Sequence, residues 1–303
     1  MMEKISFLTE ILPYVKKFRG TVFVIKLGGS CVANPRALQS VTSSVCMLGS
    51  LGIKVVLVHG GGPQADELQN KLGYPVVKIA GKRVTDKNAL EVTKMVYAGK
   101  INTDVVAAMQ KNGSQAVGIS GVSAGTICAQ KCAVRKVKNE KTGKVEDVDY
   151  GYVGDITNVD THLIDSLMEN GIIPVVACLG TDNEGNVFNI NADRVAQQIS
   201  IALRAEKFIN VTNVPGLLED KDREHSIISY LDVAESKKWM GSGKVTEGMI
   251  PKLESCIASV EGGVRRAHII DGNMPNSILI EVFTNQGCGT MIVNKKDNSG
   301  KVQ

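Results

Sequence analysis

The chain has 303 residues, 43% of them hydrophobic, and its 35 basic and 31 acidic residues leave a net charge of +4. This length is enough for a large α/β domain or for two lobes with a well-filled core. So balanced a charge argues against nucleic acids and membrane surfaces as partners and is compatible with anionic metabolites. No apolar run reaches the length of a membrane span. The seven cysteines, without a CxxC spacing, indicate reduced thiols and a cytoplasmic protein.

The first element is an amphipathic helix. Residues 3–18 place apolar side chains at helical spacing. Pro13 is expected to kink this helix or to end its first segment. A helix ahead of the first core strand has no strand pair to cover. It can dock on its own domain or on another subunit, and the sequence leaves both open.

Beyond this helix, continuous apolar strands alternate with helices. This alternation predicts an α/β fold, a three-layer sandwich in which a mainly parallel open sheet is covered by helices on both faces. The segment 134–153, with Thr142 and Gly143 at its centre, predicts an antiparallel hairpin on that sheet. The strands are predicted in the segments "TVFVIKL", "IKVVLVH", "QAVGIS", "IIPVVACLG", "KFINVT" and "RRAHIIDG".

Two glycine loops, "KLGGS" and "VHGGGPQ", follow successive strands, and each precedes a helix. Ligands of parallel sheets bind at the carboxyl ends of the strands. Glycines there let backbone N–H groups approach an anion at a helix N-terminus. Neither loop matches a Walker loop or a dinucleotide fingerprint. The alternative is an ordinary turn with a solvated Lys26, but two such loops together favour an anion site.

Three further stretches contain candidate polar groups. In "NINAD", Asn189 and Asn191 point the same way and Asp193 lies near a helix start, although helix capping is the alternative for one of them. Lys252 falls in the first turn of a helix, where the helix dipole disfavours a cation unless an anion lies nearby. A surface lysine is the alternative there. Arg83, after a glycine turn, is a candidate fork for a carboxylate.

In order and spacing, nine segments resemble the acetylglutamate kinases of the amino-acid kinase family, from about residue 4 to about residue 294. The resemblance implies an N-terminal oligomerisation helix at 1–20, an acetylglutamate-binding lobe at 21–183, an ATP-binding lobe at 184–297 and a disordered tail at 298–303. It also implies ATP-dependent phosphorylation of the side-chain carboxylate of N-acetyl-L-glutamate in arginine biosynthesis, with Mg²⁺ bound through ATP. The segments are "VIKLGGS", "LVHGGGPQ", "GKRVTD", "GKIN", "GYVGDIT", "NGIIPVVA", "NINAD", "GKVTEGMIPK" and "HIIDG".

The same resemblance implies roles for single residues. Lys26 and Lys252 would flank the transferring phosphoryl group, and Asp193 would orient both lysines. The nucleophile is a carboxylate that is ionised at pH 7, so no general base is needed and catalysis reduces to positioning and charge neutralisation. The implied substrate-binding residues are Gly61, Gly62, Arg83, Asn189 and Asn191. The implied nucleotide-binding residues are Gly28, Gly29, Asn213, Gly216, Leu217, Leu218, Lys244 and Thr246.

The leading helix resembles the extension of the arginine-inhibited, hexameric members of the family. Tyr14, His268, Glu281 and Gly287 match places of their arginine site, where Glu281 would pair with a guanidinium. A hexamer built as a trimer of dimers and feedback inhibition by L-arginine are implied by this resemblance alone. It also raises the PII signalling protein as a candidate partner. Packing of the helix on its own subunit is the alternative.

The chain departs from the family pattern at a few positions. Asn213 replaces a usual aspartate, Val122 and Ser123 replace a cation and an aspartate, and Thr103 replaces a lysine. The two lysines and the aspartate of the implied catalytic site are retained, so catalysis is expected, with altered affinity and rate. Two alternatives stay open. One is a sister kinase acting on aspartate, glutamate, carbamate or an aminoadipate derivative, and the other is a non-catalytic arginine sensor.

Overall fold

The computed structural model describes residues 2–138, 144–220, 223, 226–246 and 248–295. The side chains of residues 2–8 and 138 are outside this description. The predicted tail at 298–303 and the turn at Thr142 and Gly143 lie outside the described residues.

The helices are α1 (Met2–Phe18), α2 (Gly29–Ala33), α3 (Pro35–Ser50), α4 (Gly62–Lys71), α5 (Lys87–Lys94), α6 (Asn102–Lys111), α7 (His162–Glu169), α8 (Ala192–Ala202), α9 (Val233–Gly241), α10 (Ile250–Glu261) and α11 (Ser277–Phe283). A π-helical turn at Met95–Ile101 joins α5 to α6. The strands are β1 (Val22–Leu27), β2 (Lys54–His59), β3 (Lys78–Ile79), β4 (Lys82–Arg83), β5 (Ala116–Ser120), β6 (Ile127–Lys131), β7 (Arg135–Lys138), β8 (Val145–Val148), β9 (Gly154–Val159), β10 (Ile173–Ala177), β11 (Leu179–Thr181), β12 (Val187–Asn189), β13 (Lys207–Thr212), β14 (Tyr230–Asp232), β15 (Arg266–Asp271) and β16 (Thr290–Val293).

The main sheet has eight strands in the order β14-β16-β15-β13-β1-β2-β10-β5. Pairing is parallel from β15 to β5, whereas β16 runs antiparallel to β15. The central strands are apolar and buried along almost their whole length, which suits a sheet with helices packed on it. The predicted α/β fold with a mainly parallel sheet flanked by helices is therefore confirmed.

The hairpin lies elsewhere than predicted. β7 and β8 pair with each other, Arg135 opposite Val148, and form a separate two-stranded ribbon. The prediction that this hairpin belongs to the main sheet was wrong. Three of the four side chains of β8 are exposed, so the ribbon has little apolar surface to bury against the main sheet. A further four-stranded sheet, β12-β11-β6-β9, was not predicted as a separate layer.

Helix α1 runs through Pro13 without ending there. The second half of the helix packs on its own chain, because Ile11 and Phe18 are buried and the Phe18 ring meets Phe23 edge-on at 5.4 Å. Packing on its own subunit is thus observed, and the oligomerisation role stays a prediction. In the described part of the chain, no helix is long and apolar enough to cross a membrane.

Candidate active site

The candidate active site lies where the carboxyl ends of β1, β2 and β13 meet the first turn of α8. Lys26, near the end of β1, is only 6% exposed. Its ammonium nitrogen Nζ lies 2.9 Å from Oδ1 of Asp193, in the first turn of α8. The lysine before the first glycine loop and the aspartate of "NINAD" therefore form one buried ion pair, although they are 167 positions apart in the sequence.

Asp193 stays ionised despite its burial. Burial opposes ionisation, but the nearby charge of Lys26 and hydrogen bonds from Lys26 and Asn210 outweigh it and hold the pKa of Asp193 below its usual range. The Asn210 amide Nδ2 donates to Asp193 Oδ1 at 2.9 Å. The carboxylate is thus a fixed negative charge that holds the Lys26 ammonium in place.

Lys252 lies in the first turn of α10, as predicted from the sequence. Its ammonium donates to the backbone carbonyl of Gly248 at 2.6 Å, so among the described residues the ion pair of Asp193 is with Lys26 and not with Lys252. Burial and repulsion from Lys26 lower the pKa of Lys252, and the charge of Asp193 partly offsets this. The charges of Lys26 and Asp193 thus both act on Lys252, which lies within electrostatic range of the buried pair.

The two glycine loops touch. A Cβ atom on Gly29 would lie 3.4 Å from the backbone nitrogens of both Gly61 and Gly62, and 2.9 Å from the Pro63 ring. Only a residue without a side chain allows this approach. The N–H of Gly28, predicted as a nucleotide donor, donates to the Val211 carbonyl at 3.0 Å and is thus engaged within the protein.

His59, at the end of β2, is fully buried beneath these loops. Its Nδ1 lies 3.2 Å from the Gly60 carbonyl, and its Nε2 lies 3.0 Å from the amide nitrogen of Asn102. Burial lowers the pKa of His59 to about 4, so the ring is neutral at pH 7. Nδ1 then donates to Gly60 and Nε2 accepts from Asn102, which leaves neither ring nitrogen free as a general base.

Arg83 is held by one face of helix α4. Its Nη1 donates to Gln69 Oε1 at 2.8 Å, and its Nη2 donates to the Gly62 carbonyl at 2.9 Å and forms an ion pair with Asp66. Gly62, Asp66 and Gln69 are four and then three residues apart, so they share a helix face. A guanidinium has five N–H donors in a planar fork, so donors remain for a ligand carboxylate.

The two asparagines of "NINAD" have different roles here. Asn189 is buried and its Nδ2 donates to Thr85 Oγ1 at 3.1 Å. Asn191 caps α8, because its side-chain oxygen accepts from the backbone nitrogens of Asp193 and Arg194 at 2.8 and 3.2 Å. The capping alternative therefore describes Asn191 in this structure.

Known proteins resemble this chain in sequence. The family model described as "Amino acid kinase family" matches residues 21–271. The chain belongs to the amino acid kinase family. It is 43% identical to the acetylglutamate kinase of Archaeoglobus fulgidus over 291 residues, covering 96% of this chain and 99% of that protein. It is 44% identical to the acetylglutamate kinase of Methanosphaera stadtmanae over 285 residues, covering 94% and 95%. The resemblance inferred from the nine segments is confirmed.

Solved structures agree with the fold. An N-acetylglutamate synthase from Neisseria gonorrhoeae, complexed with coenzyme A and N-acetyl-glutamate, aligns with a TM-score of 0.81 at 25% identity. The alignment covers 97% of this chain, and this amino acid kinase spans 64% of the synthase chain. A carbamate kinase from Giardia lamblia bound to AMP-PNP aligns with a TM-score of 0.63 at 18% identity, over 91% of this chain and 99% of that chain. The second likeness concerns the fold alone.

Gly28 and Gly29 directly follow β1, and the other predicted nucleotide residues of this amino acid kinase lie in two loops of the C-terminal part. In the first loop, Gly216 has a φ of +149° and the Leu217 N–H donates to Thr290 Oγ1 at 2.8 Å, and Leu218 bridges to Ile227. Asn213 is exposed at the start of this loop. In the second loop, the Lys244 ammonium lies 5.8 Å from the centre of the Trp239 ring, and the Thr246 carbonyl accepts the N–H of Met249 just before α10.

The predicted arginine-site residues of this kinase cluster around α11. Tyr14 of α1 donates to Asn285 Oδ1 at 2.5 Å, which joins the leading helix to the loop after α11. Glu281 Oε1 lies 2.7 Å from His268 Nδ1, and Oε2 accepts the N–H of Cys288 at 2.7 Å. Gly287 has a φ of +62°, and a Cβ there would lie 2.7 Å from Glu281 Oε2. Glycine is needed at this position for both reasons.

A buried lysine completes this cluster. Lys207 Nζ lies 3.0 Å from His268 Nε2, and burial followed by repulsion from Arg266 lowers the pKa of Lys207 to about 7. Burial and the charge of Lys207 lower the pKa of His268 to about 4, so His268 is neutral at pH 7. For Glu281, burial opposes ionisation, but the hydrogen bond from His268 and its other partners lower the pKa to about 2. Glu281 is therefore an ionised, buried acceptor.

Sequence reasoning missed several of these groups. Asn210, Asp66, Gln69, Asn102 and Lys207 were not predicted as site residues. Asn210 left a signal, because an amide in the middle of the apolar strand "KFINVT" has no packing reason to be there. The sequence signal for Asp66 and Gln69 is weaker, because acidic and amide side chains are common on the exposed face of any helix.

Proposed function

We propose that this protein transfers the γ-phosphoryl group of ATP to the side-chain carboxylate of N-acetyl-L-glutamate, forming N-acetyl-L-glutamyl 5-phosphate in arginine biosynthesis. The acetylglutamate kinases of Archaeoglobus fulgidus and Methanosphaera stadtmanae, matched over nearly their whole lengths, support this activity. The observation that carries the proposal is the buried pair of Lys26 and Asp193 beside two touching glycine loops.

The mechanism follows from the charges at the site. The acceptor carboxylate and the phosphoryl group are both anionic, so their approach requires positive charge between them. Asp193 holds the ammonium of Lys26 at the end of β1. Lys252 supplies a second ammonium from the first turn of α10. Because the carboxylate is already ionised, the protein moves no proton in this step.

The substrates approach from two sides. The lobe at 21–183 would bind acetylglutamate through Arg83, Asn189 and the N–H groups of Gly61 and Gly62. The lobe at 184–297 would bind ATP through the loop from Asn213 to Leu218 and through Lys244 and Thr246. Support comes from the backbone N–H groups at the start of α4, where partial positive charge favours an anion.

In this proposal Mg²⁺ binds to the site as a complex with ATP. The carboxylate nearest the two lysines, Asp193, already accepts from Lys26 and Asn210, so the phosphate oxygens and not this side chain would hold the ion. The ion supplies charge neutralisation on the phosphates when it is bound. Positioning of the acceptor carboxylate is left to Arg83 and the glycine loops.

Hydroxylamine trapping tests this activity. An acyl phosphate reacts with hydroxylamine to give a hydroxamate, so the purified protein with ATP, Mg²⁺ and N-acetyl-L-glutamate is expected to form it in proportion to ADP. Aspartate, glutamate, carbamate and N-acetyl-aminoadipate at equal concentration are the matched controls and are expected to react far more slowly. A faster reaction with one of these acceptors would make the protein a sister kinase. ATP left unconsumed with every acceptor would overturn the kinase assignment.

We also infer that the cluster around α11 binds L-arginine as a feedback inhibitor. Its support is the ionised Glu281 next to Gly287 and His268, with Tyr14 of α1 reaching the same region. A guanidinium would compete with Lys207 for the negative charge of Glu281. In the same proposal α1 joins dimers into a hexamer, since its Leu12 side chain is 48% exposed.

Glu281→Gln is expected to raise the arginine concentration for half-inhibition at least about tenfold, since a charge-assisted hydrogen bond contributes about 1.5–3 kcal/mol. Its kcat without arginine should change little. Glu261→Gln, at an exposed carboxylate that pairs with Lys237, is the matched control and should keep arginine sensitivity. A sizing column run in parallel reports the assembly. Arginine that leaves the unmodified enzyme fully active would refute the inhibitor site.

A further inference from the structure

Asn210 is an amide in the middle of β13, among apolar residues. The side chain is fully buried, and its neighbours Ile209 and Val211 are fully buried as well. β13 lies next to the central strand β1. At such a position packing favours an aliphatic side chain, so the amide needs another explanation.

The two ends of the amide differ. Nδ2 donates to Asp193 Oδ1 at 2.9 Å, and because a carboxylate only accepts, this contact fixes which end of the amide faces Asp193. The other end, Oδ1, is buried and has no hydrogen-bond partner among the described residues. A buried acceptor without a partner lowers folding stability, so this amide is retained at a cost to the fold.

The position of Asn210 relative to Lys26 gives the explanation. The two residues are direct partners in the parallel pairing of β1 with β13, so their side chains lie on the same face of the sheet. Nζ of Lys26 also contacts Asp193 Oδ1, at 2.9 Å. Two donors from neighbouring strands thus converge on one carboxylate oxygen, which restricts the rotation of Asp193.

We propose that Asn210 is a positioning residue for phosphoryl transfer, whose amide nitrogen fixes Asp193 and thereby the direction of the Lys26 ammonium. This role rests on the proposed kinase function. It predicts an unusual combination, because an aliphatic side chain at this position removes the unpartnered oxygen and improves the core while it releases Asp193. In such a variant the folding stability should rise while kcat falls.

Asn210→Leu, which keeps the branched four-atom skeleton of the side chain, is the test. Its Tm is expected at or above that of the unmodified enzyme, with kcat lower by roughly 10- to 100-fold, as for other small misplacements of reacting groups. Asp193 loses a hydrogen bond that lowers its pKa, so activity should disappear at a higher pH on acidification. The acid limb of the profile of kcat against pH therefore moves to higher pH. Thr93→Val, at a buried hydroxyl that donates to the Ala89 carbonyl within α5, is the matched control and should leave that limb in place.

The outcomes separate this role from simpler ones. An unchanged kcat, or a lower kcat with a lower Tm and an unmoved acid limb, would overturn the positioning role and leave a packing role. Asn210→Ala adds no bulk and carries the same expectation for kcat and the acid limb, so it decides the matter if the leucine variant does not fold. If neither variant folds, the amide is needed for folding and the proposal fails. An unmodified enzyme that makes no acyl phosphate would instead refute the proposed function.

Discussion

Lys26→Met is expected to lower kcat at least about 1000-fold, the largest effect of any single substitution considered for this chain. Removing one preorganised positive group from a site of developing charge typically costs about 100- to 1000-fold in rate. Here the change also leaves Asp193 without its ion-pair partner in a buried position. Initial rates of hydroxamate formation and the midpoint of thermal unfolding measure the two consequences separately.

An unpaired buried charge costs about 3–5 kcal/mol, so Lys26→Met should also lower Tm. Adding Asp193→Asn to it should restore much of the stability and none of the activity, because the charge near the phosphoryl group is still missing. Lys54→Met is the matched control, since Lys54 lies at the opposite end of the neighbouring strand β2 and should remain active. More than a tenth of normal activity in Lys26→Met would contradict the mechanism.

Arg83→Lys is expected to raise the KM for N-acetyl-L-glutamate about 100-fold and to change kcat much less, because charge-assisted hydrogen bonds contribute about 1.5–3 kcal/mol. Lysine keeps the charge and loses the planar fork that Gln69 and the Gly62 carbonyl hold in place. The KM for ATP should stay near its normal value. Initial rates against each substrate give the two constants.

Lys82→Ala is the matched control for Arg83. Lys82 precedes Arg83 on β4 and is exposed, so its removal tests a general loss of positive charge at this hairpin. We expect an unchanged KM for acetylglutamate in this variant. If Arg83→Lys raised the KM for ATP and left that for acetylglutamate unaltered, Arg83 would belong to the nucleotide side and the assignment of lobes would be wrong.

Much of the fold was predictable, because its signals are local. Buried strands of the type "VFVIKL" and the helices between them indicate a parallel sheet from apolar patterning alone. The glycine loops at Gly29 and Gly61 could be predicted as an anion site, because ligands bind at the carboxyl ends of such strands. Position along one strand or one helix turn sufficed to predict Lys26, Asp193 and Lys252 as candidates.

The pairing of side chains across the sheet was not predictable, because it depends on strand order. The role proposed for Asn210 depends on β13 lying beside β1, because this pairing sets Asn210 opposite Lys26. The partners of Arg83 on α4 depend in the same way on how β4 folds back over that helix. The hairpin β7–β8 was misplaced because its local pattern specifies a turn and two strands but not the surface on which they pack.

The sequence by itself determined which elements form and which chemical groups end each strand, since apolar periodicity and glycine positions act over a few residues. Only the tertiary structure decided which groups meet: the ion pair of Lys26 with Asp193, the amide of Asn210 behind it, and the carbonyl of Gly248 that holds Lys252. The physical reason is that these contacts join residues far apart in the chain, and their distances are set by strand order and helix packing.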